Sequence, residues 1–542
     1  MTRHGYVPTF SKFPIDFSKN SRHIIPMAYR IERRRGEAVY VYEATSYWDA
    51  EKKQPRQRQT YLGKKDPKTG ALIPVHQGGN PRRARDYGNL ALLQHIAHTI
   101  GLDSVLHRIF SGDAPLLLAL AFFEIAEGTP LYLFPQWVET TAIEDMPARS
   151  SAELTNFTQQ LGRMEQERDA FFQAWIAHCH PVQTIVFDIT SLSSYSNLLD
   201  EVEWGYNRDH DQLPQVNLGM VYAEETQIPL YYHMYPGSIR DVSTLSNLLR
   251  YFEAFALAPD LFVMDRGFYS AANLAALSSQ PVKFLLPLPR SVGLFTEVLT
   301  QHYQTLTALS NSFLFQDEIL CHVRTALPLN FHPILAHLYF DPSRHTAQTQ
   351  RFLTKLWQAE AAVHGRSFQS PQAARRALTN QVSGAAGFFR YDTKDGHVTI
   401  GRDALAIEQH LAFMGATIFL TNQADLDRGE LLHIYRHKDV VEKAFDSVKH
   451  DLDGRRLRGH SADAIAGRLF LKFLSLIVYS ALQRTMREQH LLAEYSVREL
   501  LCELKKLRMV ELHNGKQLLT EISKRQRQIF QAFDMAIPVL KT

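Results

Sequence analysis

Val182-Gln-Thr-Ile-Val-Phe-Asp-Ile-Thr190 is a β-branched, apolar run with one carboxylate inside it. That composition is typical of a central strand covered on both faces. Asp188 is costly in such a place, because a carboxylate taken out of water needs a cation or several donors beside it. Two more strands follow at Val216–Ala223 and Ile228–Tyr235, joined by the short turn Glu224-Glu225-Thr226-Gln227. The period then changes: a helix at about Val242–Ala256, a strand at Leu261–Met264 ending in Asp265-Arg266-Gly267, a helix at Ala271–Leu277 and a strand at Val282–Leu286. The order β-β-β-α-β-α-β predicts three antiparallel strands followed by parallel additions, an α/β core. Asp241, just ahead of Val242 and Thr244, reads as a helix cap.

A third acid comes from much further along. Residues 427–449, from Asp427 to Lys449, carry Leu431, Ile434, Val441, Phe445 and Val448 at helical spacing, with no Gly or Pro after the first turn. Tyr435, Lys438, Glu442 and Lys449 fall within an arc of roughly 60° on that predicted helix. Such an edge suits a phosphate backbone lying along the helix, with a metal held at one point. It equally suits a solvated charged face with the i,i+4 pair Lys438–Glu442.

Between and around these segments the chain of 542 residues is too long for one core. Cys179, Cys321 and Cys502 lie far apart without a C-x-x-C pair, which excludes a sequence-evident zinc site and points to a reducing, cytosolic setting. The start has no signal-peptide core, and the apolar runs Pro115–Ile125 and Leu469–Leu482 contain Glu124 and Lys472, so they read as buried helices rather than membrane spans. The net charge of +3 is unevenly distributed: residues 1–90 hold 18 Lys+Arg against 8 Asp+Glu, residues 449–542 hold 17 against 10, and the middle carries −14. Basic ends around an acidic middle suggest polyanion contacts at the ends and a cation-holding site between them.

Residues 1–36 read as polar and irregular, followed by strands at Glu37–Ala44 and Gln59–Gly63 around a basic loop; Tyr40 and Tyr42 share one face there and could flank a phosphate or base. A turn-rich linker runs from Asp66 to Pro81. Helical patterns occupy Leu90–Ile100, Pro115–Glu127, Ala152–Gly162 and Glu165–His178. His178-Cys179-His180 lacks further ligands and is not read as a metal site. After Pro289 a mixed stretch, with a helix at Arg344–Glu360 and strands at Phe388–Tyr391, His397–Ile400 and Thr417–Thr421, reads as an inserted domain. Helices at Ala464–Gln483, Ser496–Leu507 and Ser523–Asp534 close the chain.

Strand, strand end and helix can bring Asp188, Asp265 and Glu442 to one point. Three acids without His or Cys ligands suit magnesium, and two such ions about 4 Å apart serve phosphodiester displacement.

Four local stretches now align with a known pattern: Phe187-Asp188-Ile-Thr-Ser191; Tyr235-Pro236-Gly237-Ser-Ile-Arg-Asp241 with Thr244-Leu245; Asp265-Arg266-Gly267-Phe268-Tyr269; and Tyr435-x2-Lys438-x3-Glu442-x6-Lys449. Together they resemble the DDE transposases of bacterial insertion sequences, within them the subgroup with a Tyr-x2-Arg-x3-Glu-x6-Lys signature. The resemblance covers about 180–482 well and the N-terminal part more loosely. Lys438 departs from it, standing where the family has Arg, so that a planar clamp becomes a point charge; Ser238 stands where Asn is common.

The resemblance implies an α/β fold: a ribonuclease H-like core, a mixed five-stranded sheet with flanking helices, interrupted by an inserted, strand-rich α+β domain. The domains would be a basic N-terminal hairpin region (1–86), a helical DNA-binding or dimerisation domain (87–180), the catalytic core in two parts (181–289 and 426–485), the insert (290–425) and a C-terminal helical region (486–542). Asp188, Asp265 and Glu442 would be catalytic and hold two Mg2+, with Mn2+ able to substitute. Tyr435, Lys438, Lys449 and Arg266 would contact DNA phosphates. Partners would be double-stranded DNA, as transposon ends and target, and a second copy in a synaptic homodimer; the setting would be the bacterial cytoplasm, near the nucleoid, with no membrane. Two other readings stay open: a ribonuclease H-like nuclease that cuts without joining, and a DNA-binding relic with a silent core.

Overall fold

The computed structural model of the protein describes residues 28–539 apart from residues 37, 50–51, 53, 68–69, 75–80, 144–145, 147–148, 195–201, 205–212, 240, 256, 258, 328–332, 382–383, 395–396, 439–441, 444–445, 447–455 and 458–460. The chain divides into two compact units, one of Met1–Ala84 with Val510–Leu518 and Leu540–Thr542, the other of Arg85–Met509 with Leu519–Val539.

The smaller unit contains a four-stranded antiparallel meander, Ala28–Arg35, Ala38–Asp49, Gln54–Lys65 and Leu72–Pro74. Two of these strands were expected. Ala28–Arg35 was read as irregular because Arg33, Arg34 and Arg35 carry no apolar alternation; it pairs with Ala38–Thr45 along its whole length instead. Tyr61 sits between Tyr40 and Tyr42, with ring centroids 5.9 and 5.1 Å away, and the Arg33 guanidinium lies 5.4 Å from the Tyr42 ring.

One mixed sheet organises the larger unit. From edge to edge its strands are Ser312–Phe315, Glu318–Leu327, Ile334–Phe340, Ala416–Thr421, Phe284–Pro287, Leu261–Met264, Thr184–Ser194, Gln215–Ala223 and Ile228–Pro236, with Arg456–Leu457 pairing beside Ser193 and Ser194. The expected order over 182–286 is present: Thr184–Ser194, Gln215–Ala223 and Ile228–Pro236 are antiparallel, and Leu261–Met264 and Phe284–Pro287 add in parallel. Every residue of Gln215–Ala223, Leu261–Met264 and Phe284–Pro287 is buried, as strands covered on both faces must be.

The sheet is wider than five strands, and the boundary at Pro289 does not divide it. Four strands from the stretch read as an insert continue the same sheet, because Ala416–Thr421 pairs with both Phe284–Pro287 and Ile334–Phe340. What has its own small core is the middle of that stretch, where the helices Pro342–Val363, Pro371–Gln381 and Ala404–Ala412 and the hairpin Phe389–Lys394/His397–Arg402 close around Leu356, Leu378, Phe389 and Ile407.

On one side of the sheet the helix Ala462–Glu488 gathers the helical segments that precede it in the chain. Gly162 of the helix Ser151–Arg163 and Gly467 are the points of closest approach; a Cβ on Gly162 would meet the Asp463 carbonyl oxygen at 1.8 Å, and one on Gly467 the Thr158 oxygen at 1.9 Å. By length and composition the segments Leu102–Glu127 and Ala462–Glu488 could cross a membrane; 83% of the second's most apolar window is buried within the protein. His178 hydrogen-bonds the Ile100 carbonyl at 3.0 Å, a structural contact at a helix end, and burial pushes the Cys179 thiol up to about 12.

Candidate active site

Parallel pairing brings the first two acids level. Phe187 is in register with Met264, so Asp188 and Asp265, the next residue of each chain segment, stand side by side. Asp188 is 4% exposed, and its Oδ1 accepts a 2.8 Å hydrogen bond from the Ile189 N–H. Asp265 leaves its strand and opens the single turn Arg266–Phe268. Phe268 anchors that turn: it is fully buried, with its ring 5.0 Å from that of Phe187. The two aspartates are thus held by aromatic packing directly beneath them.

The segment 427–449 is not one uninterrupted helix among its described residues. Asp427 accepts from the Gly429 N–H at 2.7 Å and caps a helix of Arg428–His437; Lys438 follows as its C-cap, and Glu442, Lys443 and Asp446 are helical beyond it. Lys449 lies outside the described residues. Tyr435 packs its ring on Phe419 of the sheet, 4.6 Å between centroids. Burial pushes its phenol up to about 12.

The predicted convergence is present, with Lys438 at its centre. Its side chain is 4% exposed, and its Nζ lies 3.1 Å from Glu442 Oε1, 3.2 Å from Asp265 Oδ1 and 3.9 Å from Asp188 Oδ2. Burial would lower the ammonium's pKa, but the facing carboxylates outweigh it and raise it. Burial would likewise raise Asp265, but the Lys438 ammonium and the Arg266 N–H hold its carboxyl below the ordinary range. The structure therefore turns Lys438 inward to the acids, whereas the sequence pattern placed it on an outward phosphate-binding edge. Arg266 is exposed beside them. A cavity of ≈ 400 Å³ lined by Tyr435, Arg436, Lys438 and Glu442 opens over the cluster.

Among the described residues no three His, Cys, Asp or Glu side chains are close enough to hold a metal by themselves. Three carboxylates face the one Lys438 ammonium and offer only hard oxygen donors, the ligand type that magnesium takes.

The sequence pattern does not reveal the polar cluster that ties the Asp188 strand to the segment Pro236–Ile239. Asn217, buried in the neighbouring strand, accepts from Ser191 Oγ at 3.1 Å and donates to the carbonyls of Gly237 at 3.2 Å and Ile239 at 3.0 Å. Gln215 Nε2 donates to the same Gly237 oxygen. A Cβ on Gly237 would meet the Gln215 oxygen at 2.0 Å, so only glycine permits this approach. Ser238 donates through its N–H and hydroxyl to the Glu203 carboxylate. Polar residues in an otherwise apolar strand, the signal that singled out Asp188, also mark Gln215 and Asn217. Asp241 is the first residue of the helix Asp241–Ala254.

The family profile described as "Transposase DDE domain" matches residues 181–478, which span the whole acid cluster. Among solved structures, the cryo-EM structure of a piggyBac transposase synaptic complex with hairpin DNA is similar at 9% identity over 84% of this chain and 84% of that chain, with a TM-score of 0.37. No curated protein matches the chain.

Proposed function

The chain belongs to the transposase DDE domain family, and from that premise we propose that it is a DNA transposase that binds the terminal inverted repeats of its element and catalyses metal-dependent strand cleavage and strand transfer. The observation that carries this reading is the meeting of Asp188, Asp265 and Glu442 around one cationic atom. The strand order, with the Asp188 strand flanked by an antiparallel and a parallel neighbour, supports a ribonuclease H-like core.

Asp188, Asp265 and Glu442 would hold two divalent cations, magnesium with manganese able to substitute. Bound there, the cations supply the Lewis acidity that phosphodiester displacement requires. The protein's own groups position the DNA. Tyr435 keeps its hydroxyl protonated and donates to a phosphate oxygen; Arg266 and Lys438 offer positive charge beside it, and Lys449, outside the described residues, is a further phosphate contact in this reading. In the first displacement water attacks, one P–O bond forms and one breaks, and a 3′-hydroxyl is freed. In the second that hydroxyl attacks the target strand in the same way. Joining two ends to one target calls for a homodimer.

The test is strand cleavage and joining on DNA carrying the inverted repeats that flank the gene, in Mg2+, comparing wild type with Glu442→Gln and reading DNA binding separately. Joined products, lost in the variant while binding persists, are expected. Cleavage without joining would move the assignment to a nuclease, and binding without cleavage by wild type to a DNA-binding relic.

A further inference from the structure

Lys438 has two demands on it. As a phosphate contact it would face DNA, yet its ammonium is buried among Asp188, Asp265 and Glu442. A buried ammonium persists only where opposite charges compensate its lost hydration, and here those charges are the proposed metal ligands. A divalent cation taking the same three carboxylates must either displace the ammonium or sit against it as a like charge.

The surroundings allow displacement. The lysine stem is long and rotatable, so the head can swing by side-chain rotation alone. The ≈ 400 Å³ cavity adjoins it on the Tyr435 and Glu442 side. Glu442, whose side chain is 59% exposed, forms the open edge of the cluster, while Asp188 forms its closed floor.

We propose that Lys438 is the resident counter-cation of the metal-free site, that it competes with divalent metal for the three carboxylates, and that a DNA phosphate entering the cavity draws its ammonium outward and opens the acids to metal. Metal binding and DNA binding then strengthen each other by the same factor, as linkage requires. The free protein is kept from loading metal away from its DNA. This rests on the transposase reading of the site.

The test measures Mn2+ binding to the full-length protein, by the electron paramagnetic resonance signal of free Mn2+, with and without a duplex oligonucleotide carrying the flanking inverted repeats. Lys438→Met is expected to bind Mn2+ about tenfold more tightly than wild type without DNA, within the usual range of coupling between sites. Duplex DNA should tighten Mn2+ binding to wild type by a similar factor and change Lys438→Met little. Equal Mn2+ affinity of wild type and variant without DNA would overturn the competition, and a wild-type affinity that DNA leaves unchanged would overturn the coupling. Should Lys438→Met fail to fold, Lys438→Gln, which still donates a hydrogen bond to the acids, takes its place. Asp188→Asn separates the two layers of the argument: Mn2+ binding in the presence of DNA that this change does not weaken would remove the metal reading of the cluster itself, and the lysine proposal with it.

Discussion

Tyr435 and Phe419 meet edge to face, with ring centroids 4.6 Å apart, and this contact fastens the helix Arg428–His437 to the sheet beside the acids. One side chain thus has two separable parts, a ring that packs and a hydroxyl that can donate. Tyr435→Ala should cost roughly 2–4 kcal/mol in a denaturation curve, as loss of a large, mostly buried ring does. Tyr435→Phe should stay within about 0.5 kcal/mol of wild type while weakening binding to DNA ends in a gel-shift assay. A Phe variant that binds like wild type would remove the hydroxyl from the DNA path. Because burial pushes the phenol up to about 12, its contribution to binding should be flat across neutral and mildly alkaline pH.

Asp265 makes a prediction about acid stability. Its carboxyl is held below the ordinary 3.8, since Lys438 and the Arg266 N–H outweigh the upward push of burial. A carboxyl lower in the folded than in the unfolded chain stabilises the fold above its unfolded value, and that contribution disappears as pH falls through the folded value. Metal-free wild type should therefore lose Tm from about pH 4 downward, and Asp265→Asn should flatten that part of the curve. Parallel curves for the two proteins would show that the carboxylate contributes no such stability.

The crossing of Ser151–Arg163 over Ala462–Glu488 has no room for a methyl group. Gly162→Ala and Gly467→Ala each press a Cβ against backbone oxygen, at 1.8 and 1.9 Å before any relaxation, and each should destabilise by about 1–3 kcal/mol through overpacking. Two alanine variants with wild-type Tm would mean that the helices do not approach so closely.

Asn217 links the Asp188 strand to the Pro236–Ile239 segment through Ser191, Gly237 and Ile239. Asn217→Ala removes the hydrogen bonds to Ser191 and Ile239, while Gly237 keeps Gln215 as a donor, and should cost about 1–3 kcal/mol. Cleavage should fall further than DNA binding, because Asp188 loses the support of its own strand. Equal losses in both assays would assign Asn217 to stability alone.

The element order over 182–286 was legible because those strands are nearly pure apolar runs and their helices follow at once, so local pattern and final pairing agree. The strands Glu318–Leu327 and Ile334–Phe340 were not read. The first mixes polar and apolar residues without clean alternation and pairs with the second, which finds its place only by pairing with Ala416–Thr421, about 80 residues away. The continuous helix over 427–449 was read from periodicity, which does not register a break at a cap such as Lys438.

By itself the sequence singled out three acids. A carboxylate inside an apolar strand, another ending its neighbour and a third in a helical segment are chemical anomalies that need no coordinates to be noticed. Only the tertiary structure decided what those acids face. Lys438 precedes Glu442 by four residues, a spacing that as easily makes a solvated surface pair. The inward turn of its ammonium depends on Asp188 and Asp265 arriving, level with each other, from strands more than 170 residues earlier in the chain. The reason is the range of the forces involved: hydrophobic period is recorded locally along the chain, whereas the compensation of a buried charge depends on whatever the fold brings within a few ångströms of it.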